Sequence, residues 1–144
     1  MRIRRKKRSE KTEMQQTIDR LDDLWSELIR KRALLRKDHG CEKCTRWKEK
    51  WQYLQAAHNF TRSNRTTQWD PRNGAGLCGG CHSYLDRHPD VKEEFFRKLI
   101  GDDEYEMLYI LTNMTTKQAP VDYKATEIAL RYEIKELATL LAAA

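Results

Sequence analysis

Two CxxC pairs constrain this chain more than any other feature. Cys41-Glu-Lys-Cys44 and Cys78-Gly-Gly-Cys81 are separated by 33 residues, and whatever the chain folds into must bring them together. Each pair spans one edge of a tetrahedron, so four thiolates close the shell of a structural zinc ion. Composition agrees with the need for such a brace. At 144 residues, 35% charged and 39% hydrophobic, the chain has material for a modest core and gains from a metal cross-link. No apolar run approaches the roughly 18–20 residues of a membrane span. The basic N-terminus is not followed by the apolar stretch of a secretory signal. Both features point to the cytoplasm, where paired cysteines favour zinc over disulfides.

Charge is unevenly placed. Residues 1–12 carry seven Lys/Arg against one Glu, residues 13–29 sum to −4, residues 30–65 to +8 and residues 66–144 to −4. Two basic blocks beside a mildly acidic remainder suit a polyanionic partner, because each neutralised phosphate releases condensed counterions. Candidate phosphate contacts are Arg4 and Arg5 in the first block and Lys48, Lys50, Arg62 and Arg65 in the second.

The pattern along the chain predicts an α+β fold that is mostly helical. Residues 1–12 have almost no apolar content and read as a disordered arm. Residues 13–40 read as a helix, with Ile18, Leu21, Trp25, Leu28, Ile29 and Leu35 at three- and four-residue intervals. Thr12 or Thr17 offers its N-cap and Gly40 its stop. The basic end of this helix, Arg30 to Lys37, suits the helix dipole and could also face DNA. Residues 41–88 form the zinc-braced core: a knuckle at Cys41–Cys44, a strand over roughly 51–60 paired with a hairpin arm begun near Thr45, a basic loop, turns at Asp70-Pro71 and Asn73-Gly74, a short strand at Leu77, and a helix from Gly79-Gly80 to Arg87. Residues 89–117 form a helical extension. Pro89 opens its first helix, which carries Val91, Phe95, Phe96, Leu99 and Ile100, and Asp102-Asp103-Glu104 opens the next, with Tyr105, Leu108 and Leu111. Residues 118–144 hold a last amphipathic helix, and the two terminal helices offer a homodimer contact. Trp47, Trp51 and Trp69 read as core residues in preference to base-stacking platforms.

Inside the cysteine clamp lie Leu54-Gln-Ala-Ala-His58 and Trp69-Asp-Pro-Arg-Asn73, and His82 follows Cys81 directly. Ala57-His58, Asn73 five positions before Cys78, and Cys81-His82 resemble the H…N…H signature of the HNH, or ββα-metal, nucleases. The two CxxC pairs resemble the zinc-stabilised branch of that family. The intervening words are similar to small phage and prophage members, including relatives of the NinG-type recombination nucleases. The likeness spans about 42 residues and leaves out residues 1–35 and 120–144.

The resemblance implies a treble-clef-like ββα-metal core with a zinc held by the four cysteines, flanked by an N-terminal helix and two to three C-terminal helices. It implies that His58 is the general base, oriented by a backbone carbonyl, and that Asn73 ties the loop between the strands through side-chain-to-backbone bonds. His82 would ligate a catalytic divalent ion, Mg²⁺ before Mn²⁺, Ni²⁺ or Zn²⁺, acting as a Lewis acid on the same phosphate that His58 addresses. Arg62 would grip a phosphate. Ala57 is a departure, because the family often places a second metal ligand there; Asp70 and His88 are candidates to replace it. The expected activity is metal-dependent DNA cleavage with loose sequence preference, in a bacterial or phage-infected cytoplasm. The same residues also fit a non-catalytic zinc module that binds DNA or RNA, or a protein-interaction scaffold.

Overall fold

A computed structural model describes residues 11–36 and 40–143. The arm with Arg4 and Arg5, and the end of the first predicted helix at residues 37–39, lie outside the described residues. Among the described residues the fold is mostly helical, with five α-helices and one two-stranded antiparallel sheet. The helices are α1 (Glu13–Arg36), α2 (Gly79–Arg87), α3 (Pro89–Ile100), α4 (Asp102–Thr112) and α5 (Tyr123–Ala143); the strands are β1 (Gln55–His58) and β2 (Gly74–Leu77). No described helix is long and apolar enough to cross a membrane.

The hairpin is a thin wall between two cores. Its register pairs Gln55 with Leu77, Ala56 with Gly76, Ala57 with Ala75 and His58 with Gly74. Side chains alternate across a strand, so Ala57, Ala75 and Leu77 face one way, into a core with Leu85 of α2, Phe96 of α3 and Tyr105 of α4. Ala56 and His58 face the other way, toward α1. There Leu21, Trp25, Leu28 and Ile29 pack with Trp69 and Leu130 of α5. Each fully buried side chain of this size stabilises the fold by about 1.5–3 kcal/mol.

Glycine is what lets α1 lie so close. A Cβ on Gly74 would sit 2.4 Å from the Trp25 ring, and one on Gly76 would sit 2.6 Å from Cβ of Ala33. Arg32 then clamps helix to hairpin, donating to the carbonyls of Pro71 (2.7 Å) and Gly74 (2.9 Å). Burial lowers its pKa to about 10. Arg32 is therefore an internal strut and not a surface contact. The hydroxyl of Thr12 accepts from the backbone N–H of Gln15 at the start of α1, an N-cap bond.

Two expectations need correction. Residues 51–60 are not one strand, and no arm near Thr45 pairs with it. Trp51–Tyr53 is a 3-10 turn, β1 begins at Gln55, and its partner is β2. The reason is local: Arg30 and Lys31 of α1 lie over the Trp51 ring, with their charged groups 4.6 and 5.2 Å from its centre. That packing turns the chain before it can extend. The second concerns the tryptophans. Trp69 is core, but Trp51 is only half-buried and Trp47 is 63% exposed.

Candidate functional site

The four cysteine sulfurs lie within 4.8 Å of one another. A tetrahedron with zinc–sulfur bonds of about 2.3 Å has edges of about 3.8 Å, and the Sγ atoms of Cys44 and Cys78 are 3.8 Å apart. The cluster therefore fits a structural metal such as zinc. Burial pushes the Cys41 thiol up, whereas Cys78, although burial opposes it, is held at about 7 by the Cys81 N–H and neighbouring thiols. Glu42, between the first two cysteines, seats this knuckle on β2. Its Oε2 accepts from Gly76 N at 2.7 Å and its own N–H donates to Gly76 O at 3.0 Å. Nothing in the spacing announced that role beyond an acid inside a CxxC. Gly40 serves the knuckle as well, since a Cβ there would meet the Arg46 carbonyl oxygen at 2.3 Å.

His58 ends β1 with its ring stacked on Trp25, centroids 3.9 Å apart and planes 12° from parallel. Its Nε2 lies 3.0 Å from the carbonyl oxygen of Gln68. A carbonyl only accepts, so Nε2 carries the proton and Nδ1 keeps the lone pair. Burial lowers the pKa of this ring, against the upward pull of the Gln68 carbonyl. Asn73 is fully buried. Its Oδ1 accepts from Phe60 N (2.8 Å), and its Nδ2 donates to the carbonyls of Phe60 (3.1 Å) and Thr67 (3.0 Å). These three bonds pin both ends of the loop that carries Gln68 to the hairpin.

Asp22 of α1 completes this network, and sequence reasoning did not single it out. Its carboxylate accepts from Gln68 Nε2 and Trp69 Nε1, each at 2.8 Å, and pairs with Arg62 at 2.7 Å. His58 and Arg62 thus share an open basin with Asp19, Asp22 and Asp23. Arg65 is also engaged, donating to Gln68 Oε1 at 2.8 Å with its guanidinium over the Trp69 ring. Lys50 is exposed and Lys48 half-buried.

His82 lies on the first turn of α2, on the other face of the hairpin. Its Nδ1 is 2.8 Å from Gln55 Oε1, which leaves Nε2 facing Asp86 Oδ2 at 3.4 Å. Gln55 and His58 stand at opposite ends of β1, about 10 Å apart at about 3.3 Å per residue. The rings of His58, stacked on Trp25, and His82, bonded to Gln55, therefore start from opposite faces of the hairpin. Neither proposed replacement for a ligand at Ala57 is beside His82. Asp70 caps the turn before β2 and is paired with Arg72, and His88 hydrogen-bonds the Tyr84 carbonyl and stacks on the Tyr84 ring. The carboxylate at hand is Asp86, one helical turn after His82, which also lines a depression with Asn59 and Lys92. No family model, curated protein or solved structure matches this chain.

Proposed function

We propose that this protein is a metal-dependent HNH-type endonuclease that hydrolyses DNA phosphodiester bonds, built on a zinc-braced ββα-metal unit formed by β1, β2 and α2. The observation that carries this reading is the bond between His58 Nε2 and the Gln68 carbonyl, in a loop that Asn73 pins to the hairpin. It fixes one tautomer and keeps Nδ1 available to take a proton from water. Zinc is the metal that the four-cysteine cluster suits best. His82 Nε2 and Asp86 would hold a second divalent ion, with Mg²⁺ the best match to phosphate chemistry and Mn²⁺ acceptable to an imidazole. That ion would supply a Lewis acid for the leaving oxygen. Because the two imidazoles start from opposite faces, a phosphate that meets both would enter the depression that Asn59, just past the end of β1, shares with Asp86 and Lys92. Arg62 would hold an adjoining phosphate after exchanging its partner Asp22.

A second reading is favoured by the same opposition of faces, together with a further fact. Among the described residues, the four-cysteine cluster is the one group of three or more His, Cys, Asp or Glu that could hold a metal. On that reading the protein is a non-catalytic zinc module that binds nucleic acid. One experiment separates the two: supercoiled plasmid and a four-way DNA junction incubated with Mg²⁺, Mn²⁺ or EDTA, with zinc content followed throughout. Nicked, linear or resolved products in either metal and none in EDTA are expected. Binding without cleavage in all three conditions would establish the second reading.

A further inference from the structure

The loop that leaves the first zinc knuckle, residues 46–53, reads Arg-Trp-Lys-Glu-Lys-Trp-Gln-Tyr. It holds three cations, one carboxylate and three large aromatic rings. Trp47 is 63% exposed and Tyr53 is 56% exposed, an expensive display of apolar surface for a loop with no core of its own. The backbone beneath them is fixed. Trp47 is bridged to Gly40, and Cys41 N donates to Arg46 O at 3.0 Å. Tyr53 closes the 3-10 turn, with its N–H on Lys50 O at 3.1 Å, just before the buried Leu54. The third ring, Trp51, has a packing role beneath Arg30 and Lys31, which also brings α1 cations to this loop. Among the described residues, no such role accounts for Trp47 or Tyr53.

From this placement we infer that the 46–53 loop is a stacking platform for unpaired nucleobases, so that the nucleic acid bound here presents a single-stranded segment. The inference rests on the nucleic-acid reading of the preceding subsection and gives it a substrate class. Rigidly mounted exposed rings interleaved with Arg46, Lys48 and Lys50 match a strand whose bases are free to stack and whose phosphates meet cations. A duplex hides its base faces and offers such rings nothing. A polyanion is selected by the charge, and an unpaired one by the aromatics.

The test is fluorescence anisotropy of the full-length protein, without added divalent ion so that no strand is cut. The probes are a fluorescein-labelled DNA oligonucleotide of about 20 nucleotides, long enough to exceed the site size of a small binding fold, the same sequence as a duplex, and its RNA counterpart. The expected result is that single strands bind at least about 5-fold tighter than the duplex. Trp47→Ala and Tyr53→Ala should each lower single-strand affinity by about 5- to 100-fold while changing duplex affinity less than about 2-fold. Equal DNA and RNA affinity would fit recognition by stacking alone, and a preference for one would add a contact to the sugar. Both side chains are exposed, and unchanged zinc content and circular dichroism check the fold. Single-strand affinity that is indifferent to both substitutions, or no greater than that of the duplex, would overturn the inference. Plasmid nicking with no single-strand preference would remove this platform and leave the nuclease reading standing. Loss of nicking with the preference intact would do the reverse.

Discussion

His58 is held neutral by its surroundings, and that has consequences in both stability and rate. Its folded pKa is lowered by burial, so below the ordinary value of about 6.5 the unfolded chain binds the proton first. The fold should lose stability as pH drops through that value, and the loss should be smaller in His58→Gln. Urea unfolding at about pH 7.5 and about pH 5.5, on either side of that value, measures both. The acid limb of a cleavage profile should correspondingly fall below about pH 6.5, since the ring stays neutral there. Asn73→Ala would orphan the backbone groups of Phe60 and Thr67 and should cost about 2–4 kcal/mol, read from the denaturation midpoint. Asp22→Asn keeps an acceptor for Trp69 and frees Arg62 from a carboxylate. It should tighten DNA binding by about 2- to 5-fold at low salt, measured by anisotropy. The four-cysteine cluster was legible because paired CxxC spacing along the chain carries its chemistry. Asp22, Gln68 and Arg32 were not. A helix carboxylate and a helix arginine read as solvated until the loop folds back onto them, and Gln68 acts through its backbone oxygen.

At the level of elements, the hairpin is the piece everything else grips, and its glycines set how closely. Gly76→Ala would drive a methyl against Cβ of Ala33, an overpacking expected to cost about 1–3 kcal/mol. Adding Ala33→Gly should recover part of that loss in a double-mutant cycle of melting temperatures, whereas it should not help Gly74→Ala, which meets Trp25. The helices were readable from three- and four-residue apolar spacing and from their stops at His88-Pro89 and Gly101, where φ is 87°. The strands were less so. Trp51, Tyr53 and Leu54 have strand-forming side chains, yet cations from α1 capture Trp51 and bend the chain into a turn. In contrast, β2 is Gly-Ala-Gly-Leu, a poor strand by propensity that exists because α1 and the knuckle at Glu42 need a flat surface with no side chains in the way.

Over the whole molecule, two small cores are separated by a two-stranded wall, and the four-cysteine cluster ties the first knuckle to the start of α2. A structural zinc there would contribute on the order of 10 kcal/mol to folding. Stripping the metal with a strong chelator, or replacing Cys78 with Ser, should abolish the cooperative thermal transition. Scanning calorimetry alongside metal analysis checks this. In the proposed hydrolysis His58 takes the proton from water, and the frame around it should survive its loss. The measurement that tests it most directly is the plasmid-nicking rate of zinc-loaded, natively folded His58→Gln beside the unaltered protein in Mn²⁺. The account predicts a loss of at least about 100-fold with zinc content and unfolding transition retained. Nicking that persists at the original rate would contradict it.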